Sequence, residues 1–474
     1  MVEKDNSLKN SLWAIADNSG QQVLSFVIFT VLARWLTPQA FGLLAIAHLQ
    51  VQFVRLAVLD ALALPVLRSE QADASLFSWL FTQCTWVSLV FAGLMALGAP
   101  ALATYFESRE LLPIIFGMSG VIVLYGLARA HDAILLRQAR FKLLALRSLF
   151  SVAAGGVVAI VLAYRGHGAL ALVAQQITTT TVALIVAFCS EWRQWRPRWH
   201  FSMILMRKYG RESMNASASS MLSYANGNGD AALVSIVLGP HATGLYNLAK
   251  RVTLAVSLMI SASLSRVAAS LFFKDSSDTA KLGEHYRRMT ALTMSGLVLI
   301  YGLIANFSEP ITRIVFGPQW LSAAPILTIL SMGGIFQSLF NLGQNLSMAT
   351  GHARRAVRFG GMQLTAAIAL SLLLTWKGLI GMALGFGIAA VISACLMHRV
   401  ISQQLHLHAL RALNVLLPPL LGVISLTLIS QLTRMYYGPV ASWWSLIAVN
   451  SMAAAGYLAL FLPSKLIVDK RKNK

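Results

Sequence analysis

Apolar stretches of bilayer length recur along the whole chain, separated by short polar turns. A hydrocarbon core of about 30 Å takes about 20 apolar residues per helix. That ruler predicts fourteen spans, near 11–35, 42–67, 77–98, 113–136, 148–164, 169–190, 212–238, 244–272, 289–307, 322–349, 359–375, 379–401, 412–431 and 442–462. The fold class it predicts is all-α and polytopic. The start, MVEKDNSLKN, carries Glu3 and Asp5 and lacks a cleavage-type apolar core, so the first span is expected to be retained.

Composition agrees. Of 474 residues, 57% are hydrophobic and 12% charged, with a mean hydropathy of +0.67. Soluble domains carry about 25% charge, which argues against a soluble enzyme or a disordered chain. The net charge of +21 would suggest nucleic acid in a soluble protein. Here the basic residues sort by side. With the N-terminus inside, inner segments hold 27 Lys and Arg and outer loops hold six. The positive-inside rule then predicts an even number of spans with both termini cytoplasmic, and no nucleic-acid partner is expected. Trp192 to Trp199 (WRQWRPRW) is the most basic-aromatic segment. It reads as an anionic-lipid or RNA patch, or as an interfacial linker with a tryptophan belt; its place between two sets of six spans favours the linker.

An internal echo divides the chain. Leu36-Thr37-Pro38-Gln39-Ala40-Phe41-Gly42-Leu43 returns 202 residues later as Leu238-Gly239-Pro240-His241-Ala242-Thr243-Gly244-Leu245. Both copies sit on an outer turn between an odd and an even span. A parallel duplication follows, as in some secondary transporters. It gives an N-lobe over 1–190, a cytoplasmic linker over 191–211 and a C-lobe over 212–401. Residues 402–474 are expected to add a peripheral helix pair and a basic tail.

Polar residues at membrane depth are costly and mark function or pairing. The second span carries His48, Gln52 and Arg55 on one face, with Asp60 on another. The fourth carries Tyr125, Arg129 and Asp132. The seventh carries a stripe from Asn215 through Asn226 to Asp230, and the tenth carries Gln337 and Asn341. The eighth adds Lys250, Arg251 and, near its inner end, Arg266; the first adds Asp17. Bland readings stand beside these: an Arg129–Asp132 ion pair within one helix, a basic partner for Asp60, a packed His131. Arg55, Lys250 and Arg251 have no acid one helical turn away. Unpaired cations at depth suit an anion, and Arg geometry suits phosphate or diphosphate. His48, Gln52, Asn226, Gln337 and Asn341 then line a cavity for sugar hydroxyls. Asp17 and Asp230 are candidate proton or sodium carriers, or counter-charges to cavity cations.

No GxxxxGK[ST], HExxH or GxSxG motif occurs, so the chain is not read as an enzyme. Cys84, Cys189 and Cys395 lie far apart in apolar stretches and read as small buried hydrophobes. No cofactor or metal is expected.

The LTPxxFGLLA turn after the first span and the GLYNLAKR start of the eighth resemble the Wzx-type polysaccharide and O-antigen flippases. These form a branch of the multidrug/oligosaccharidyl-lipid/polysaccharide exporter superfamily. The resemblance implies two six-helix bundles in a V around a cationic cavity, and alternating access. It implies an undecaprenyl-diphosphate-linked oligosaccharide as substrate and residence in the bacterial inner membrane. Related lipid II flippases carry essential arginines in the second and eighth helices, which puts diphosphate binding on Arg55 and Arg251, with Lys250 and Arg129 beside them. The multidrug exporters of the superfamily use an acid in the first helix, where Asp17 stands. An ion-coupled multidrug exporter and a membrane scaffold of a polysaccharide-synthesis complex are the alternative readings. Contact with a polysaccharide polymerase, and the coupling ion, stay open.

Overall fold

The computed structural model describes residues 20–69, 73–192, 195–274 and 278–405, with isolated positions at 13, 424, 427, 428, 431, 435 and 451. Side chains at 258–267, 269 and 274 lie outside that description, as do Asp17 and the spans expected at 412–431 and 442–462. Among the described residues there is no strand. Ten helices among the described residues are long and apolar enough to cross a membrane, and an eleventh, Gly20–Ala33, is apolar but shorter. The chain is thus an all-α, multi-pass architecture.

The helices are α1 (Gly20–Ala33), α2 (Pro38–Arg68), α3 (Ala74–Tyr105), α4 (Leu111–Arg137), α5 (Phe141–Tyr164) and α6 (Ala169–Glu191). They continue with α7 (Met203–Lys274), α8 (Thr279–Asn306), α9 (Ala324–Ala349), α10 (Ala353–Leu373) and α11 (Gly378–Gln404). Two compact units divide at Gly244/Leu245.

In the first unit, local signals set the helix ends. Thr37 caps α2, its side-chain oxygen accepting from the Ala40 amide, with Pro38 in the first turn. Asp73 caps α3, accepting from the Leu76 amide at 2.9 Å. Both devices satisfy amides that a helix start leaves unpaired. The far end of α2 is held differently. The Arg137 guanidinium donates to the carbonyls of Val66, Leu67 and Ser69, a cation on the negative end of a helix.

The turn expected near 238–244 is a sharp kink inside α7. Gly239 has φ 78° and ψ −174°, a conformation that only glycine adopts without strain. The kink brings the two sequence echoes together within the first unit. A Cβ on Gly42 would stand 1.7 Å from the Pro240 carbonyl oxygen, and one on Gly244 would stand 1.9 Å from that of Pro38. The contact is reciprocal at the same offset of 202: the glycine of each copy faces the proline carbonyl of the other.

The linker is anchored by packing. Trp195 is buried against Phe81, Ala130 and Ile134. Its indole N–H reaches the Ser78 hydroxyl and the Ala74 carbonyl, both at 3.3 Å. His131 packs edge-on to it with ring centres 5.1 Å apart, so the packed reading of that histidine holds. Trp199 stays largely exposed.

The second unit has its own core. Phe272, Tyr286, Leu297, Tyr301, Phe340, Met397 and Ile401 form one buried cluster shared by α7, α8, α9 and α11. Tyr301 donates to the Thr253 carbonyl at 2.9 Å. The phenol of Tyr286 and the Nδ1 of His398 share a hydrogen bond of 3.0 Å, which satisfies two polar groups inside that core.

Three helix starts differ from the hydropathy reading. α5 begins at Phe141 rather than near 148, α7 at Met203 rather than near 212, and α8 at Thr279 rather than near 289. In each case basic residues interrupt the apolar run without stopping the helix, because Arg and Lys are good helix formers. The consequence for Arg147 is large: it falls between the spans expected at 113–136 and 148–164, yet lies within a helix.

Candidate functional site

Between α2, α4, α5 and α6, with Gln21 from α1, lies a polar cavity of about 130 Å³. Arg55, Asp60, Tyr125, Arg129, Asp132 and Arg147 line it, with Ser148, Ser151, Thr179 and Thr180 adding hydroxyls. All belong to the first unit.

The geometry starts from a defect in α2. Residues Val54–Leu59 form a π-helical turn, in which the Asp60 amide donates to the Arg55 carbonyl five residues back. In a regular α-helix with 3.6 residues per turn, positions five apart are separated by about 140°. The sequence reading accordingly put Asp60 on another face from Arg55. The wider π turn brings both onto the cavity. Such turns are frequent at functional sites.

Charge pairing follows the packing between helices. Arg129 of α4 meets Asp60 of α2 at 3.0 Å, with side chains 16% and 30% exposed. Arg147 of α5 forms a short ion pair with Asp132 of α4. The pairing expected within α4, Arg129 with Asp132, is therefore replaced by two bridges to neighbouring helices. The basic partner anticipated for Asp60 is Arg129 itself. Asp60 Oδ1 takes part in an ion contact without an aligned hydrogen bond.

Arg55 is different. Among the described residues it makes no ion pair, and its guanidinium lies over the Tyr125 ring, 4.9 Å from the centroid. A cation over a tyrosine face gains electrostatic attraction without being neutralised. Three guanidiniums thus share the cavity with two carboxylates. The two carboxylates are taken, and the surplus positive charge sits at Arg55 beside a rim of hydroxyls. Ser148, Ser151 and Thr180 donate their hydroxyl protons to carbonyls of their own helices, so the rim adds polarity rather than free donors. Chemically the arrangement suits a small anionic group through the fixed guanidinium of Arg55 and the absence of a competing unengaged carboxylate among the lining residues.

The other expected site residues fall elsewhere. His48 Nε2 and Gln52 Nε2 are 3.0 Å apart in one hydrogen bond on α2. Asn226 lies exposed on α7, in a strip with Asn215, Ser219 and Ser223. The Asp230 carboxylate accepts from the Ala231 amide at 2.7 Å. Lys250 and Arg251 lie on the part of α7 in the second unit, half-buried and exposed respectively. Also in that unit, Gln337 donates to Asn341 at 3.1 Å and accepts from Gln363 at 2.5 Å. Asp17 and the side chain of Arg266 are outside the described residues.

Sequence reasoning missed Arg147, Ser148, Ser151, Thr179 and Thr180. Two signals were present. Arg147 stands in FKLLALRSLF with apolar residues on both sides, and four threonines run consecutively from Thr178 to Thr181 inside an apolar helix.

Comparison with known proteins places this architecture. The chain belongs to the family described as polysaccharide biosynthesis protein, which matches residues 31–325. Among its relatives is the succinoglycan biosynthesis transport protein ExoT of Rhizobium meliloti (strain 1021). It is 26% identical over 68% of this chain, an alignment that spans 65% of ExoT, just under two thirds of its length. The lipopolysaccharide biosynthesis protein WzxC of Escherichia coli (strain K12) is 23% identical over 79% of this chain and 76% of its own. In fold, the chain is similar to the lipid II flippase MurJ in an inward closed conformation. The TM-score is 0.75 at 15% identity, covering 96% of this chain and 99% of that one.

Proposed function

We propose that the chain is a flippase. It carries an undecaprenyl-diphosphate-linked oligosaccharide, a repeat unit of O-antigen, exopolysaccharide or capsule, from the inner to the outer leaflet by alternating access. It works in the bacterial inner membrane with both termini cytoplasmic. The family and its transport relatives support the class of cargo, and the reciprocal contact of the two echoes supports a duplicated, two-lobed carrier. The observation that carries the binding step is Arg55: a cation held over Tyr125, next to two arginines whose charge is already spent on Asp60 and Asp132.

The physical logic is replacement of water. A diphosphate leaving the aqueous phase loses its hydration, which is expensive unless fixed cations and donors take its place. Arg55 supplies the charge and Arg129 the neighbouring guanidinium. Lys250 and Arg251 are assigned the same task on the second unit. His48, Gln52, Asn226, Gln337 and Asn341 are assigned to sugar hydroxyls, and Asp17 and Asp230 to ion coupling or charge balance. A multidrug exporter of cationic cargo is disfavoured by this pocket, because both of its carboxylates are already engaged by arginine.

The test is flipping of a fluorescent undecaprenyl-diphosphate oligosaccharide in proteoliposomes. Arg55→Ala is expected to reduce the rate at least about tenfold, the loss of one charge-assisted contact, and Arg55→Lys to restore part of it. An Arg55→Ala variant that is folded, inserted and as fast as the wild type overturns the assignment.

A further inference from the structure

On the other side of the same turns lies a second cavity of a different chemistry. It has a volume of about 440 Å³ and is lined by Phe53, Val54, Phe91, Leu94, Ile122 and Tyr224. All are in the first unit, on α2, α3, α4 and the first part of α7. The size falls within the range of small-ligand sites. The walls are fixed. The Tyr224 hydroxyl is used up on the Leu49 carbonyl at 2.6 Å, and its ring packs edge-on to Phe53 with centres 5.7 Å apart. What Tyr224 presents to the cavity is therefore an apolar ring, its one polar atom already satisfied.

The two cavities are back to back. Val54 lines the apolar groove and Arg55, the next residue, lines the polar pocket. On α4, Ile122 lines the groove and Tyr125, one turn on, lines the pocket. The π turn that begins at Val54 is the point where one surface changes into the other. A ligand that matches both must join an anionic group to an apolar chain with no polar spacer. Chain and charge must also sit within one helical turn of each other.

We infer that this groove receives the first isoprene units of the substrate's polyprenyl chain, next to a diphosphate on Arg55. The inference rests on the flippase reading above and adds to it a path for the tail through the first unit. Charge complementarity chooses the occupant. The surplus guanidinium adjoins the groove, so an anion attached directly to a hydrocarbon chain gains from both cavities. A glycerophospholipid places glycerol and ester groups between its phosphate and its chains, and among the lining side chains Gln50 alone offers them an amide; the rest of the wall, Phe53 and Ile122 included, gives them no partner.

The experiment measures binding of three probes to the full-length protein in phosphatidylcholine nanodiscs: inorganic diphosphate, farnesyl diphosphate and undecaprenyl diphosphate. Binding should strengthen on adding a chain by at least about tenfold over inorganic diphosphate, since each buried methylene contributes favourably. Leu94 is 59% exposed at the groove, so Leu94→Trp can fill the space from its rim. It should cut that chain-dependent gain to roughly threefold or less. A photoreactive undecaprenyl diphosphate with its diazirine near the head should label peptides containing residues 49–54 or 224 in the wild type. Unlabelled undecaprenyl phosphate should compete, and dioleoyl phosphatidylglycerol should not.

The inference is overturned by labelling elsewhere, by equal competition from phosphatidylglycerol, or by an unchanged chain-dependent gain in Leu94→Trp. If Leu94→Trp does not fold, the labelling of the wild type decides alone. Failure of the flippase reading looks different: the wild type then binds none of the three diphosphates, or binds them equally in Arg55→Ala.

Discussion

Gly42→Ala tests the reciprocal contact that joins the two sequence echoes. The added Cβ would stand 1.7 Å from a backbone oxygen, whereas an ordinary contact begins at 3.4 Å. The oxygen belongs to Pro240, so no side-chain rotation relieves the overlap; the two helix starts must move apart by more than 1 Å, an overpacking strain of about 2–3 kcal/mol. For a unit of this size that is a fall in Tm of roughly 5–10 °C. Gly244→Ala should behave alike, because its Cβ meets the Pro38 oxygen at 1.9 Å. The double variant should cost clearly less than the sum of the two, since one separation relieves both overlaps. Gly361→Ala is the control: a helical glycine with nothing within 4 Å of the added atom, where alanine should be neutral or stabilising by up to about 1 kcal/mol. The assay is thermal unfolding of purified protein in detergent. A Gly42→Ala protein that melts with the wild type, or a double variant that is strictly additive, refutes the reasoning.

Three further expectations follow from the same structure. Asp132→Asn leaves Arg147 without its carboxylate and should cost about 3 kcal/mol, while Asp132→Asn with Arg147→Met should recover most of it; unfolding midpoints of the two variants check this. Trp195→Ala empties a packed site between α3 and α4 and should cost about 3 kcal/mol, with cleavage of the 195–202 segment by protease rising in parallel. Asp73 caps α3, and hydrogen bonds from the Leu76 amide and the Ser75 hydroxyl hold its carboxyl below the usual carboxylate range. Its contribution is therefore complete above the unfolded value near 3.9 and is lost as pH falls through the lower folded value. Asp73→Ala should cost about 1 kcal/mol at pH 7, and the difference in Tm from the wild type should shrink on acidification below pH 4.

Much of the protein is legible in the linear chain, because burial in hydrocarbon and burial in a helix bundle both leave local periodic marks. The apolar runs located the described spans to within several residues, apart from the starts of α5, α7 and α8. The placement of Arg55, Tyr125, Arg129 and Asp132 within helices rather than in the turns between them followed from counting turns. The 202-residue echo followed from identity at one offset. The first two are properties of neighbours in sequence, and the echo is a match of short local segments; none needs a contact between helices.

What only the tertiary structure decided depends on partners far apart in the chain. Asp60 and Arg129 are 69 residues apart, and their pairing exists because α2 packs on α4. Arg147 turns from a loop cation into a pocket residue because α5 continues past it, and its charge is answered by Asp132 of another helix. The π turn at Val54–Leu59 shifts the register of α2, so Asp60 and Arg55 share a cavity that a 3.6-residue period keeps apart. The meeting of Gly42 with Pro240 required the kink at Gly239. Hydropathy reports how deep a residue sits and which face it takes; the choice of ionic partner, and the turn that changes a face, are set by how helices pack against each other.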